Sequence, residues 1–185
     1  MTFDLYWFSA LYGLAGSSSV GDWLAVFFAS YSQYVWAAVL LLFFFWPMHG
    51  RVQNRIMIVL SVAAALVARL VVKGALMFAY PRPRPFVELA SVHPLINSPL
   101  AENFQSFPSG HTIFFFALAT VIYCFNRTWG TVALVAAALV GLSRIYVGVH
   151  WPTDVLAGAL LGALTGWAVY RFYIALRVRY FNPVV

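Results

Sequence analysis

Ser143-Arg-Ile-Tyr-Val-Gly-Val-His-Trp-Pro-Thr-Asp154 stands between two long apolar segments and gathers an arginine, a histidine and an aspartate where the surrounding sequence is almost uncharged. Pro152 suits the first turn of a helix, where its missing N–H costs nothing. His150 then falls just before a helix start and Asp154 inside its first turn, near enough for carboxylate to meet imidazole. Such a pair holds one ring nitrogen as a donor and frees the other as a nucleophile or base. Arg144, six positions before His150, can clamp an oxyanion. A solvated loop with a structural histidine fits the same residues.

The segments on either side set the fold class. The 185 residues are 63% hydrophobic and 9% charged, against roughly 25% charged in soluble domains. One domain of this length cannot bury so much apolar surface, so lipid is the expected solvent and the fold is expected to be all-α, a polytopic membrane helix bundle. Five crossings are predicted: Asp22–Trp46, with Trp23 and Trp46 as interface anchors, Ile56–Tyr80, Gly110–Phe125, Trp129–Val147, and Trp151 to about Leu176. Phe3–Leu14 is short for a span and reads as an interfacial helix. Residues 1–185 form a single domain, with one long loop over about 81–109.

The net charge of +6 is scattered rather than gathered in a run, so nucleic acid is not an expected partner. Cys124 is the single cysteine, which removes an intramolecular disulfide and a cysteine metal site. No Lys or Arg precedes the first apolar segment, which predicts no cleaved signal peptide.

Alternating crossings sort the charges. One side receives Arg51, Arg55, Arg127, Arg171, Arg177 and Arg179 and no acid; the other receives Asp4, Asp22, Glu88, Glu102 and Asp154, every acidic residue in the chain. The Lys/Arg bias makes the first side cytoplasmic. The C-terminus is then cytoplasmic, and the long loop and His150 share the external, periplasmic face of the inner cell membrane.

Two further clusters reach that face. Pro108-Ser109-Gly110-His111 opens the third span, and a helix N-terminus offers free N–H groups and the positive dipole end to an anion. Ser109 is the natural cap, and its hydroxyl can donate to a phosphate oxygen. An ordinary cap with a passenger histidine fits the tetrapeptide equally. In Pro81-Arg82-Pro83-Arg84-Pro85 alternating prolines stiffen an extended backbone and present both guanidinium groups. Alone, it also fits a rigid exit from the membrane with headgroup-contacting arginines. Arg69 and Lys73 lie at membrane depth, where charge is expensive. They are expected to face the bundle interior or a wet cavity, paired. Lys73, nearer the external end, can reach an anion there.

Cations, amides and two histidines with one aspartate point to phosphoryl chemistry by fixed positive charge. Arginines would repel a metal ion, so no metal and no cofactor is expected.

Arg84-Pro85, Pro108–His111 and Ser143–Asp154 resemble, in order, the three-part signature of the type 2 phosphatidic acid phosphatases, or lipid phosphate phosphatases. The resemblance covers roughly Lys73 to the end of the fifth span. Its first part departs: the family places a lysine seven residues before the motif arginine, where this chain has Met77 (or Ala75, counted from Arg82). Lys73 is one turn deeper on nearly the same face, and its long stem can recover the reach. The resemblance implies that His150 attacks phosphorus and forms a phosphohistidine, that Asp154 orients its ring, and that His111 protonates the leaving oxygen and then activates water. It implies that Arg84, Arg144, Lys73, Ser109 and the Gly110 amide hold the phosphoryl oxygens, with Arg82 as a further candidate.

The Pro-Arg-Pro-Phe-Val run and modest loop are most similar to bacterial undecaprenyl-diphosphate phosphatases. The implied partners are an isoprenoid or glycerolipid phosphate and membrane lipids. Phosphatidylglycerophosphate and lipid A 1-phosphate phosphatases share the signature. An anion transporter or channel would also use intramembrane charge, though along a crossing path rather than at one end. A catalytically idle lipid-binding relative predicts a lost histidine, and both are present.

Overall fold

The computed structural model describes residues 2–45, 51–99 and 102–181. Trp46, the expected anchor at the end of the first crossing, lies outside the described residues. Among those described the chain is helical: α1 (Phe3–Tyr12), α2 (Ser19–Val26), α3 (Ser32–Phe45), α4 (Arg51–Leu66), α5 (Lys73–Ala79), α6 (Pro85–Glu88), α7 (Gly110–Phe125), α8 (Arg127–Tyr146) and α9 (Pro152–Phe181). α2 continues into α3 through a π-helical turn at Phe27–Tyr31, and α4 into α5 through another at Val67–Val72. Arg82 and Gln105 form one isolated β-bridge across the loop.

Among the described residues four segments are long and apolar enough to cross a membrane: Ser19–Phe45, Val52–Ala79, Arg127–Tyr146 and Pro152–Arg179. The remaining predicted crossing, α7, is a shorter apolar helix of 16 residues, about 24 Å at the usual rise. It is apolar on every side, so it takes the centre of the bundle. Ile113, Ala117 and Val121 are fully buried there, and α4, α8 and α9 pack around it. The outer helices turn Leu139, Leu156, Leu160, Leu164 and Phe172 outward, as expected where the surroundings are hydrocarbon.

The C-terminal end of α7 is fixed by a sequence-local device. Asn126 ends it and caps α8, its Oδ1 accepting the Trp129 N–H at 3.1 Å. Along its length α7 meets the face of α9 that carries Gly158, Gly162 and Gly166, four residues apart. A methyl group on Gly162 would collide with the Ile113 carbonyl oxygen. Small residues at this spacing let two backbones approach without intervening side chains.

The sequence places Arg69 towards the bundle interior or a wet cavity, with a partner. It is exposed, and no ion pair to it is found among the described residues, but from the π turn at Val67–Val72 it lies within electrostatic reach of Lys73, His111 and Arg144.

Gly162→Ala is expected to destabilise the fold by about 1–3 kcal/mol, as overpacking does, because neither the α7 nor the α9 backbone can yield locally. Thermal unfolding in detergent would check this; an unchanged midpoint would show that the helix contact is loose.

Candidate active site

The site is assembled where α9 begins. Pro152 opens that helix, and Asp154 lies in its first turn with no solvent exposure. Asp154 Oδ2 accepts the Trp151 N–H at 2.8 Å and the Ser106 hydroxyl at 2.5 Å, while Oδ1 accepts Arg82 Nη1 at 2.6 Å. Its main-chain carbonyl accepts the N–H of Ser109, the residue that starts α7, at 3.0 Å. The Pro108–His111 and Ser143–Asp154 motifs are thereby tied by a backbone hydrogen bond. α8 delivers His150 through a turn at Gly148, whose φ of 83° is a left-handed conformation that suits glycine.

His150 is almost wholly buried. Its Nδ1 is 3.6 Å from Asp154 Oδ2, beyond a direct hydrogen bond, and 3.4 Å from Ser106 Oγ. The Ser106 proton is already donated to Asp154, so its oxygen faces Nδ1 as an acceptor. The proton on the ring therefore belongs on Nδ1, and Nε2 keeps its lone pair. Burial pushes the imidazole down to about 4, with the nearby Asp154 carboxylate working against that fall and the charges of Arg144 and Arg84 adding to it. At neutral pH the ring is uncharged.

Three cations converge nearby. Arg144, at the end of α8, is buried, donates Nη1 to the Ala29 carbonyl at 2.9 Å, and has no partner at Nε. Ala29 belongs to the π turn at Phe27–Tyr31, where hydrogen bonding shifts by one residue, as from Ser32 N–H to Phe27 O. Arg84, also buried, is held by Glu102 through Nη2 at 2.6 Å and Nε at 3.0 Å, and by Ser98 at 3.1 Å. Lys73 lies along the start of α7: a methyl group on Gly110 would sit 3.2 Å from its Nζ. The displaced lysine thus reaches the helix N-terminus. There Ile113 N–H makes an early helical bond to the Ser109 carbonyl, which leaves the Gly110 and His111 amides without intrahelical acceptors. Ser109 Oγ accepts from Thr112 Oγ1 at 2.9 Å, which leaves its own proton for another acceptor. His111 lies within electrostatic reach of His150, Arg144 and Lys73. Among the described residues no three His, Cys, Asp or Glu side chains gather as metal ligands.

Residues 56–177 match the PAP2 superfamily. The chain belongs to that family. This PAP2 chain is 33% identical over 184 residues to the undecaprenyl-diphosphatase BcrC of Bacillus subtilis, a match that covers 96% of this chain and 91% of that one. It is 37% identical over 161 residues to the bacitracin transport permease protein BcrC of Bacillus licheniformis, covering 86% of this chain and 74% of its relative. The crystal structure of Aquifex aeolicus LpxE has the same fold, with a TM-score of 0.74 at 28% identity over 92% of this chain and 96% of that one. The PAP2 chain is a membrane lipid phosphatase.

The structure departs from the sequence reading at Arg82. Expected as a further phosphate contact, it donates to Thr153 at 2.7 Å, Asp154 at 2.6 Å and Asp4 at 2.6 Å, behind the carboxylate that faces His150. Ser106 went unnoticed in the sequence, although a serine just before Phe-Pro-Ser-Gly-His, in a loop folded onto the site, is a visible signal.

Ser106→Ala should lower kcat about tenfold, less than the roughly 10²–10⁴-fold of a general acid or base itself because Ser106 acts only through the ring, and leave KM nearly unchanged. Steady-state kinetics on a lipid phosphate would check it; a wild-type kcat would mean that Nδ1 is held by another group.

Proposed function

We propose that this chain hydrolyses undecaprenyl diphosphate to the monophosphate at the outer, periplasmic face of the cell membrane, through a phosphohistidine on His150. The observation that supports the mechanism is the Ser106–Asp154 relay, which assigns the ring proton to Nδ1 and leaves Nε2 of a buried imidazole free, with the Arg144 and Arg84 charges within electrostatic reach of the ring.

In the first step Nε2 attacks the terminal phosphorus and the P–O bond to the lipid monophosphate breaks. His111 gives its proton to that departing oxygen. In the second step His111 takes a proton from water, whose oxygen attacks phosphorus and breaks the P–N bond, releasing inorganic phosphate. Arg144 Nε, Arg84, Lys73, the Ser109 hydroxyl and the Gly110 amide hold the phosphoryl oxygens, over which negative charge is spread in the transition state. Asp154 acts on the ring through Ser106 and becomes more valuable as the attacking imidazole loses electron density.

The choice of substrate rests on the nearly end-to-end similarity to the Bacillus subtilis undecaprenyl-diphosphatase. The choice of face rests on the charges: Asp4, Glu102 and Asp154 lie at the site's end, while Arg55, Arg127 and Arg171 lie on helices towards the other, which the Lys/Arg bias makes cytoplasmic. The cations gather at one end and do not line a crossing path, which favours hydrolysis over transport.

Purified in detergent, the protein should release phosphate from undecaprenyl diphosphate faster than from phosphatidylglycerophosphate or lipid A 1-phosphate, and His150→Ala should abolish release while leaving the protein folded. A detergent micelle has no two sides, so turnover there separates an enzyme from a transporter. Preference for a glycerolipid would change the substrate, and near-normal turnover by His150→Ala would remove the nucleophile.

EDTA should leave the rate unchanged, because the phosphoryl contacts are guanidinium, ammonium and amide donors. A strict requirement for added Mg²⁺ would overturn that charge assignment.

A further inference from the structure

We infer that Asp4, on the N-terminal helix α1, is a positioning residue for the phosphatase reaction: through Arg82 it keeps the Asp154 carboxylate effectively charged towards His150. This rests on the proposed role of His150 as nucleophile.

The geometry is a closed cluster. Asp4 Oδ2 accepts Arg82 Nη2 at 2.6 Å and the Thr153 hydroxyl at 2.6 Å, and Oδ1 accepts the Thr153 N–H at 2.8 Å. Arg82 Nη1 donates to both Thr153 Oγ1, at 2.7 Å, and Asp154 Oδ1, at 2.6 Å. Thr153 is the second residue of α9, and Trp151 ahead of Pro152 has no side-chain oxygen to cap it. A carboxylate from a different helix therefore caps α9, at the end where negative charge is favoured. α1 is held in place for this by Phe8, buried with its ring 5.2 Å from that of Trp151, and by the Tyr12 hydroxyl, which bonds the His93 backbone at 3.0 and 3.1 Å.

Charge makes the cluster more than a brace. An arginine bound to Asp154 alone would neutralise it, and the imidazole would face a pair with no net charge. With Asp4 the three groups sum to one negative charge, so Asp154 still supports His150. The other charged or titratable groups around His150 are Arg144 from α8, Arg84 ahead of α6 and His111 from α7, and these are the same in every variant below. Removing Asp4 brings the sum to zero, removing Arg82 makes it two negative charges, and removing both restores one.

The test is the acid limb of kcat/KM for wild type, Asp4→Asn, Arg82→Gln and the double variant, all on undecaprenyl diphosphate, so that substrate ionisation is common to all four. Because loss of the orienting aspartate in a serine-protease triad costs about 10⁴ in kcat, a group one step behind such an aspartate is expected to cost on the order of tenfold. Asp4→Asn should lower kcat by that amount and move the acid limb to lower pH, since His150 loses the charge that favours its protonated form. Arg82→Gln should move the limb to higher pH, and the double variant should bring it back towards wild type.

A purely structural role for α1 predicts no such opposition of sign and losses that multiply in the double variant; either result overturns the proposal. If Asp4→Asn does not fold, Arg82→Gln decides alone: an upward shift supports the proposal and an unmoved or lowered limb overturns it. The His150→Ala control separates the two levels, since retained turnover there would show that the nucleophile assignment, and not the role of Asp4, is at fault.

Discussion

The Asp154 carboxylate is the contact on which the rest of the structure depends. It is fully buried, and a buried charge is tolerated only when every lone pair is occupied by a strong donor. Its donors come from separate parts of the chain: Arg82 from the start of the long loop, Ser106 from its end, and the Trp151 amide from the α8–α9 turn. Asp4 of α1 joins through Arg82. Satisfying one carboxylate therefore fixes the loop, the turn and the N-terminal helix relative to one another. The Ser109–Asp154 backbone bond adds the start of α7 to the same assembly.

The opposite wall of the site is built on a different principle. Arg144, Arg84 and Lys73 repel one another, and the fold holds them with neutral or weakly opposing partners: the Ala29 carbonyl, the Ser98 hydroxyl, the Glu102 carboxylate and the cleft over Gly110. Arg144 even keeps a buried donor unpaired. An unsatisfied buried donor costs about 1–3 kcal/mol, a cost that an oxygen acceptor entering the site would remove. Donors fixed before substrate arrives need no reorganisation during the reaction, which makes them effective in stabilising developing charge. The central position of α7 makes this possible, because its N-terminus can be brought among the cations only if α9 packs directly on its backbone, as the glycine face allows.

Much of this was legible in the sequence because the decisive residues break a pattern. Charged residues in a chain that is 9% charged are conspicuous, and Pro152 and the Ser-Gly pair mark helix starts, so Arg144, His150, Asp154, Ser109 and His111 could be located by type and spacing. The all-helical architecture followed from the apolar runs. Pairing across long separations was not legible. Arg82 and Arg84 lie two residues apart in the same Pro-Arg repeat, yet one meets Asp154 and Asp4 and the other meets Glu102; only the packed loop distinguishes them. Nor does a hydrophobic run reveal a π turn, since the extra residue in a turn leaves composition unchanged. The turn at Val67–Val72 carries Arg69, and the turn at Phe27–Tyr31 carries the carbonyl that receives Arg144.

Burying His150 sets two demands against each other, and the cluster behind it reconciles them. A dry site keeps the ring neutral, so its lone pair is available, but the same dryness penalises the positive charge that the imidazole would gain in the proposed attack on phosphorus. The charges of Arg144 and Arg84 deepen that penalty. A nearby carboxylate relieves it only if its charge is not already cancelled, yet a carboxylate this buried needs a strong donor such as Arg82 to be tolerated at all. Sharing the guanidinium between Asp154 and Asp4 meets both conditions: the donor stabilises the buried oxygen, and the second carboxylate leaves negative charge to face the ring. Ser106 stands between that charge and Nδ1, so the ring is oriented without direct contact with the carboxylate.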